Sequence, residues 1–408
     1  MNNKNEIIIV GGGAAGLMAA GLLCEKGYRP TVIEHKEKCG RKILITGKGR
    51  CNLTNNCTVD AFMQNIRSNS RFLYSAVSNF GPQDTMQLFE DIGVPLKTER
   101  GQRVFPASDK AEDILNALLK YSSGMKLIHG AVQEIINENN TVQGVKLKNG
   151  KEMPAKAVLL CTGGLSYPST GSTGDGYYIA RKLGHTIVPT EASLVGLTVS
   201  GNECRHMMGL SLKNVEVKLM CNGKVVYREQ GEMLFTHFGV SGPVILSASA
   251  HIKNGEKYTV SIDMKPALSE EELDKRLIRD FEKYSNRDTK NVLNDLLPKK
   301  MIPIMLGRWA VADKKAHQIT KQERAEIASL LKNLEFEIVG KEGIDFAVIT
   351  SGGVSVKEVD PKTMQSKRVK GLYFAGEILD VDGYTGGFNL QIAFSTAVAA
   401  ANGCSVMY

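Results

Sequence analysis

Two short apolar runs, separated by a glycine-rich turn and a longer apolar stretch, open the hydrophobic pattern of this 408-residue chain. The first run, Ile7–Val10, is apolar at every position, which is typical of a strand buried on both faces of a parallel sheet. The stretch after the glycines reaches Gly27, and the second run, Thr31–Ile33, ends at Glu34. This order of strand, helix and strand predicts a βαβ unit.

The pattern up to residue 161 predicts first helices and then a small antiparallel sheet. Residues 71–119 have helical spacing at both ends and a polar, turn-rich middle at 100–106, which we expect to be exposed. Residues 126–136 and 141–147 alternate apolar and polar side chains, which predicts a hairpin. Residues 157–161 are apolar throughout, which predicts a buried strand, and together these pieces indicate a β-meander.

The second half of the chain has two further kinds of pattern. Short alternating strands between residues 191 and 264 predict a β-rich domain, and residues 266–334 are helical. Two helices in that region begin with capping boxes, at Ser269–Glu272 and Thr320–Glu323. Earlier in the chain, Asp175 is expected to cap the helix that follows it.

The glycine-rich turn has the spacing of a dinucleotide-binding fingerprint. Gly11 permits the tight turn, Gly13 lets the backbone approach a pyrophosphate, and Gly16 lets the helix pack closely on the sheet. The start of the helix, at Ala14–Ala15, offers N–H groups to the phosphates. Glu34, about 20 residues further on, can accept hydrogen bonds from a ribose, and an acid there favours FAD or NAD over NADP.

The C-terminal end of the chain decides between these cofactors. Residues 371–377 predict a short buried strand that runs into a glycine turn and an acid, Gly376 and Glu377. Such an acid can bind the ribityl chain of a flavin. Residues 385–393 begin an Ala-rich helix whose N-terminus can stabilise negative charge on the reduced flavin ring. An enzyme that uses only a nicotinamide needs neither element, so the sequence predicts FAD.

Five segments in this order resemble those of the HI0933-like flavoprotein family, and the resemblance covers nearly the whole chain. The first is the N-terminal fingerprint, and the last is the C-terminal strand and helix. The other three are residues 40–55, which contain Thr-Gly-Lys-Gly-Arg-Cys-Asn-Leu-Thr-Asn, residues 162–176 and residues 235–243. The family includes an aminoacetone oxidase and a reductase of 3-oxo-Δ4/Δ6 bile acids, so the resemblance implies an oxidoreductase without naming its substrate.

The resemblance also implies a fold and a set of cofactor contacts. The expected fold class is α/β, with a Rossmann-like FAD-binding domain (1–190 plus 345–408), an inserted β-barrel-like domain (191–265 plus 335–344) and a small helical domain (266–334). The residues that we expect to bind FAD are Gly11, Gly13, Ala14, Ala15, Gly16, Glu34, Lys42, Gly47, Arg50, Cys51, Asn52, Thr54, Val132, Thr162, Gly163, Gly164, Gly376, Glu377, Gly386, Gly387, Phe388 and Asn389.

Composition adds few limits to this interpretation. The eight cysteines are scattered without metal-ligand spacing, which predicts no metal site and a reducing, cytoplasmic location. The spacing of Cys51 and Cys57 does not match familiar redox dithiols, so we interpret both as ordinary thiols. We expect neither a signal peptide nor a membrane span. The formal charge of +8 is not concentrated in one run, so a nucleic-acid partner is not expected from composition.

No second GxGxxG unit follows the first, so a nicotinamide must bind transiently at the flavin, or electrons come from a partner protein. Tyr167 and His237 are the candidates for moving the proton that accompanies hydride transfer. The leading hypothesis is reduction, by NADH or NADPH, of a conjugated C=C bond in a small-molecule enone such as a 3-oxo-Δ4 steroid or bile acid. The alternatives are an amine oxidase of the aminoacetone type, an RNA-modifying flavoprotein and a non-catalytic flavin-binding partner protein. The sequence does not indicate the oligomeric state.

Overall fold

The structure is a computed structural model that describes residues 6–253, 255–309, 311 and 314–406. It divides into two units: the first contains the chain up to Ser193 and again from Ile344, and the second is Leu194–Gly343. The N-terminal part of the first unit contains, in chain order, β1 (Ile7–Val10), α1 (Ala14–Glu25), β2 (Thr31–Glu34), α2 (Arg41–Ile45), β3 (Thr54–Asn55), α3 (Val59–Gln64), α4 (Ser70–Asn79), α5 (Pro82–Asp91), β4 (Leu96–Glu99), β5 (Arg103–Pro106), α6 (Ala111–Tyr121), β6 (Lys126–His129), β7 (Val132–Glu138), β8 (Thr141–Leu147), β9 (Glu152–Pro154), β10 (Ala157–Leu160), α7 (Asp175–Lys182) and β11 (Ile187–Ser193).

The second unit contains all six strands of a barrel and the helical region. Its elements are β12 (Leu197–Val199), α8 (Glu203–His206), β13 (Ser211–Cys221), β14 (Lys224–Phe235), β15 (Gly239–Ser241), α9 (Pro243–Ser249), β16 (Tyr258–Asp263), α10 (Glu270–Lys283), α11 (Thr289–Val292), α12 (Ile302–Trp309), α13 (Lys321–Lys332) and β17 (Leu334–Lys341). The chain then completes the first unit with β18 (Ile349–Val354), β19 (Leu372–Phe374) and α14 (Phe388–Val406). No helix in the described ranges combines the length and the apolar character that a membrane span requires.

A five-stranded parallel sheet forms the centre of the first unit. Its strand order is β19–β10–β1–β2–β6, and each neighbouring pair is parallel. Strand β1, in the middle, is buried at all four positions, as its uniformly apolar sequence predicts. The parallel sheet and its βαβ start confirm the predicted Rossmann-like fold. Because parallel strands end at the same edge, the glycine turn after β1 and Thr162 after β10 meet at one edge of the sheet.

Two predicted segments differ from the observed strands. The strand predicted at 126–136 is two strands, of which β6 joins the parallel sheet and β7 begins an antiparallel sheet of order β7–β8–β9. The segment 100–106 is not an exposed loop throughout, because its second half is β5. There Val104 is fully buried and Phe105 is 3% exposed. Three buried residues in succession are too short a signal for hydrophobic periodicity to detect.

The predicted helix cap at Asp175 is also wrong. Gly174 stands at the N-cap position with a left-handed backbone, and no side chain caps the helix. Asp175 is instead the first residue of α7, and its carboxylate lies 3.4 Å from Lys148 Nζ. An acid in the first turn still interacts favourably with the helix dipole, so the residue type fits the position for another reason.

The second unit is built on a closed six-stranded barrel with the order β12–β15–β14–β13–β16–β17, which confirms the predicted barrel. The rings of Phe235 and Phe336 meet in its core, with 5.9 Å between their centroids. Helices α10 and α13 begin at the predicted capping boxes. Trp309 is 2% exposed, and its indole N–H donates to the Glu323 carbonyl at 2.7 Å, so it packs inside this unit.

The half-buried carboxylate of Glu358, in the first unit, gives a testable pH dependence of stability. Glu358 accepts hydrogen bonds from Arg368 and from the N–H and hydroxyl of Thr186, and it lies 3.2 Å from His185 Nδ1. Burial raises the pKa of Glu358, but Arg368 and Thr186 outweigh that effect and hold the pKa at about 2. Since the folded pKa lies below the ordinary value of 4.5, ionised Glu358 stabilises the fold above pH 4.5.

We therefore expect Glu358→Ala to lower the free energy of unfolding at pH 7 by about 1–2 kcal/mol, because the exposed Arg368 partner is screened by solvent. The difference from wild type should shrink as the pH falls from 4.5 towards 2, because the wild-type carboxylate is then protonated. Urea unfolding at pH 7 and pH 3 measures both values, with the exposed Glu152→Ala as the control variant. An equal difference at the two pH values would show that lost packing, and not charge, causes the destabilisation.

Candidate functional site

The glycines of the N-terminal turn are required for different physical reasons. A Cβ atom on Gly11 would lie 2.5 Å from the Cys161 carbonyl oxygen, and one on Gly16 would lie 1.9 Å from the Gly11 carbonyl oxygen. These two positions therefore allow close packing of backbone. At Gly13 a Cβ atom would meet nothing within 4 Å, so the chain leaves open space there. That space is where the fingerprint predicts a pyrophosphate.

The start of α1 and Glu34 form the two sides of this opening. Gly13 is the N-cap residue of α1, and no side chain caps the helix, so its first N–H groups remain available to an anion. Glu34 is 8% exposed, and its two carboxylate oxygens accept hydrogen bonds from Gly12 N and Lys36 N, each at 2.8 Å. These bonds fix the position of the carboxylate. Each of its oxygens keeps a second lone pair, which can accept a hydrogen bond from a ribose hydroxyl.

The turn after β10 supplies the next part of the site. Gly163 has a φ of +71°, and a Cβ atom on Gly164 would lie 2.4 Å from the Thr350 hydroxyl oxygen. Between the strand and these glycines, the Thr162 hydroxyl is buried and has no hydrogen-bond partner in the described part of the chain. This hydroxyl lies against α7, because a Cβ atom on Gly176 would lie 1.9 Å from its oxygen. The open space at Gly13 fits FAD.

A half-buried ion pair joins three of the predicted motifs. Lys42 Nζ donates to Glu377 at 2.7 Å and to the Ser166 hydroxyl at 2.6 Å. Glu377 also accepts from the Ser166 hydroxyl and from Thr350 N, each at 2.8 Å. Burial raises the pKa of Glu377, but the charge of Lys42 and these hydrogen bonds lower it below its usual value. The carboxylate is thus held ionised, and it fixes the position of the Lys42 ammonium group.

Two loops that the sequence predicts at the flavin ring are joined to each other directly. Asn55 Nδ2 donates to the Gly386 carbonyl at 3.1 Å. With its amide oriented so that the oxygen faces Gly387 N, Asn52 accepts from that N–H at 3.0 Å and donates to the Thr54 carbonyl. A Cβ atom on Gly387 would lie 2.3 Å from the Thr54 carbonyl oxygen. Only glycine permits this approach of the two backbones.

Asn389 and Phe388 stabilise the second of these loops from within. The Asn389 amide accepts from Gly383 N at 2.9 Å and donates to the Gly383 and Tyr384 carbonyls. The Phe388 ring packs on Phe62, with 5.5 Å between their centroids. These contacts show that Asn389 shapes the loop before α14. Its predicted contact with FAD stays a prediction.

Arg50 and Cys51, both expected to bind FAD, have other partners in the structure. The Arg50 guanidinium forms ion pairs with Glu99 and Asp109 and lies over the Phe105 ring, 4.2 Å from its centroid. The predicted contact of Arg50 with FAD stays a prediction. Cys51 is fully buried, and burial raises the pKa of its thiol to about 12, which is the state of an unreactive thiol.

The two candidate proton donors lie in different units. Tyr167, in the first unit, is half-buried and has a φ of +53°, a left-handed conformation that is uncommon for a residue with a side chain. Such strain is found at functional sites more often than elsewhere. His237, in the second unit, is exposed on the β14–β15 loop with its ring against Phe238. Val132, the remaining predicted contact, is the buried first residue of β7.

Four residues that complete the site were not predicted from the sequence. Ser166 and Thr350 bind Glu377, Asn55 binds the Gly386 loop, and Gln391 accepts a hydrogen bond from the Thr54 hydroxyl at 2.6 Å. Three of them lie inside the resembling segments, so those segments were the available signal. Within the described residues, no group of three or more His, Cys, Asp and Glu side chains is arranged to hold a metal ion.

Comparisons with known proteins agree with this geometry. The HI0933-like protein Rossmann domain family matches residues 5–403. The ribosomal RNA dihydrouridine synthase of Haemophilus influenzae is 34% identical over 409 residues, which cover 98% of each chain. The 3-dehydro-bile acid delta(4,6)-reductase of Clostridium scindens is 31% identical and covers 97% of this chain and 98% of its own.

Among solved structures, the 3-ketosteroid-delta4-(5alpha)-dehydrogenase of Rhodococcus jostii matches this chain with a TM-score of 0.54 at 14% identity. The match covers 98% of this chain and 96% of that one, and it concerns the fold alone. The family match and two relatives of full length show the family of this chain as well as its fold. The chain belongs to the HI0933-like family of FAD-binding oxidoreductases.

Proposed function

We propose that this protein is an FAD-dependent reductase that saturates a C=C bond conjugated with a carbonyl group, with NADH or NADPH as the electron donor. The observation that carries the proposal is the chemistry shared by two of its relatives of full length. Dihydrouridine is uridine without the C5=C6 bond, which is conjugated with the C4 carbonyl. A delta(4,6)-reductase of a 3-oxo steroid likewise acts on double bonds that are conjugated with a carbonyl group, the one at C3.

The first candidate for the substrate is a uracil base in RNA. This choice follows the relative that is 34% identical over 98% of the chain, and it gives the net charge of +8 a role in attracting the phosphate backbone. It reverses the expectation from composition, which depended on the absence of a Lys/Arg run in the sequence. A run is not required, because folding can gather basic side chains from distant segments. The second candidate is a 3-oxo bile acid, which the relative of 31% identity favours.

The side chains have distinct parts in such a reaction. FAD, when bound, supplies hydride transfer to the carbon β to the carbonyl. The Tyr167 hydroxyl is our candidate to donate the proton to the α carbon, and His237 is the alternative. The Glu377 carboxylate would fix the Lys42 ammonium group, whose third N–H stays able to donate a hydrogen bond to the cofactor, and the turn at Gly13 would hold the pyrophosphate.

Anaerobic stopped-flow spectroscopy tests the proposal in two steps. The purified holoenzyme is first mixed with NADH or NADPH, and we expect the flavin absorbance near 450 nm, a general property of oxidised flavins, to bleach. The reduced enzyme is then mixed with in vitro transcribed ribosomal RNA, with a 3-oxo-Δ4 steroid, or with air. Rapid reoxidation by RNA, with dihydrouridine found by mass spectrometry of the digest, is the expected result. Bleaching by amines and not by either nicotinamide, with rapid reoxidation in air, would instead identify an amine oxidase.

A further inference from the structure

A cleft in the first unit lies between two helices that the cofactor site does not use. Its volume is about 650 Å³, and one wall is formed by Asp60, Met63 and Gln64 of α3. The other wall is formed by Ser70, Arg71 and Tyr74 of α4. Each set has the i, i+3, i+4 or i, i+1, i+4 spacing of residues on one helical face. We call this feature the α3–α4 cleft.

The polar groups of the α3–α4 cleft are free to bind a ligand. Within the described residues, the Arg71 guanidinium, the Gln64 amide and the Tyr74 hydroxyl form no hydrogen bond or ion pair with the chain. Tyr74 is 56% exposed, which is unusual for a large aromatic side chain. An exposed ring beside an unpaired guanidinium matches a nucleotide, because a base stacks on the ring and a phosphate pairs with the arginine.

The α3–α4 cleft is also close to the predicted flavin loop. The buried Phe62 lies on the opposite side of α3 and packs on Phe388, with 5.5 Å between the ring centroids. The segment between the two helices pairs with the chain before that loop, since Asp382 O accepts from Arg67 N and Asn65 O accepts from Tyr384 N. One helix thickness, about 10 Å, therefore separates the cleft from the loop, a distance that one or two nucleotides span.

We propose that the α3–α4 cleft binds a nucleotide that flanks the target base in an RNA substrate. Its base stacks on Tyr74, its phosphate pairs with Arg71, and Gln64 or Asp60 contacts the base edge or the ribose. This inference rests on the proposed function, since it takes the substrate to be RNA.

The test measures binding of the FAD-loaded enzyme to a short uridine-containing fragment of single-stranded ribosomal RNA by fluorescence anisotropy. We expect Tyr74→Ala to raise the Kd about 5- to 150-fold through lost stacking, and Tyr74→Phe to bind almost as wild type does. Arg71→Ala should reduce the slope of log Kd against log salt by about 0.7, the value of one phosphate contact on a single strand. Flavin content and thermal unfolding report whether each variant is folded.

Tyr178→Ala is the matched control. Tyr178 is also 56% exposed and has a cation beside its ring, Lys182 at 4.8 Å, but it is on α7, outside the cleft. We expect this variant to bind RNA as wild type does. Equal weakening by Tyr74→Ala and Tyr178→Ala would overturn the proposal, because it would show a general loss of exposed aromatic surface.

The remaining outcomes separate the cleft from the proposed function. If wild type forms dihydrouridine in RNA and Tyr74→Ala binds that RNA equally well, the function stands and the proposed cleft is wrong. A raised KM for NADH or NADPH in Tyr74→Ala, with unchanged RNA binding, would also overturn the RNA assignment, since the nucleotide would then belong to the electron donor. A wild-type enzyme that binds no RNA would overturn both the cleft and the RNA substrate.

Discussion

Replacing Gly13 with valine should abolish FAD binding and leave the fold intact. Gly13 has a φ of −82° and a ψ of −166°, an extended conformation that any residue adopts, and a Cβ atom there would meet no atom of the chain. The new side chain would instead occupy the space that the fingerprint assigns to the pyrophosphate. Loss of at least two charge-assisted hydrogen bonds, each of about 1.5–3 kcal/mol, should raise the Kd for FAD by roughly 100-fold or more.

Flavin absorbance of the purified protein and thermal unfolding with and without added FAD measure this effect. FAD should raise the Tm of wild-type apoprotein through binding to the folded state, and it should not raise that of Gly13→Val. Gly307→Val is the matched control, because a Cβ atom at Gly307 also meets nothing within 4 Å but lies in α12 of the second unit. Normal flavin content in Gly13→Val would show that the pyrophosphate is not bound at this turn.

Gly11→Val gives the contrasting result from the same turn. Gly11 has a φ of +101°, and a Cβ atom there would lie 2.5 Å from a backbone oxygen. We therefore expect this variant to lose stability and not only cofactor. The comparison of the two variants separates two reasons for a glycine. Gly11 is required because the backbone is close, and Gly13 because the cofactor needs the space. The sequence shows where the glycines are, and the structure shows which of them face the chain and which face open space.

Local patterns explain why so much of the first unit was predictable. Strand β1, helix α1 and strand β2 follow one another within the first 34 residues, and their order alone determines the βαβ unit. Glu34 was predicted for the same reason, and its bond to Gly12 is local to that unit. The two capping boxes of the second unit likewise depend on residues three positions apart.

The parts that could not be predicted depend on partners far apart in the chain. Lys42 and Glu377 are separated by 335 positions, and no periodicity or motif spacing connects them. Arg50 was predicted as an FAD contact. Its carboxylate partners, Glu99 and Asp109, are 49 and 59 positions away, and only the fold shows that they pair with it.

Replacing Tyr167 with phenylalanine should lower the rate of substrate reduction about 10²- to 10⁴-fold, the range that general acid catalysis contributes. The substitution removes one oxygen atom, and the ring and the left-handed backbone at φ +53° stay the same. Bleaching of the flavin by NADH or NADPH should continue at the wild-type rate, because hydride transfer from a nicotinamide needs no proton donor. The defect should therefore lie in the second half-reaction alone, when reduced enzyme meets the oxidised substrate.

His237→Phe is the companion variant, since His237 is the other candidate for the proton. Single-turnover reoxidation of the reduced, FAD-loaded variants by each candidate substrate measures the step, and flavin content shows that the cofactor is still bound. A large loss in only one of the two variants identifies the proton donor. Unchanged turnover in Tyr167→Phe with FAD bound would remove Tyr167 from the mechanism. Its backbone strain would then be explained by the turn alone, in which the Tyr167 carbonyl accepts from both the N–H and the hydroxyl of Thr170.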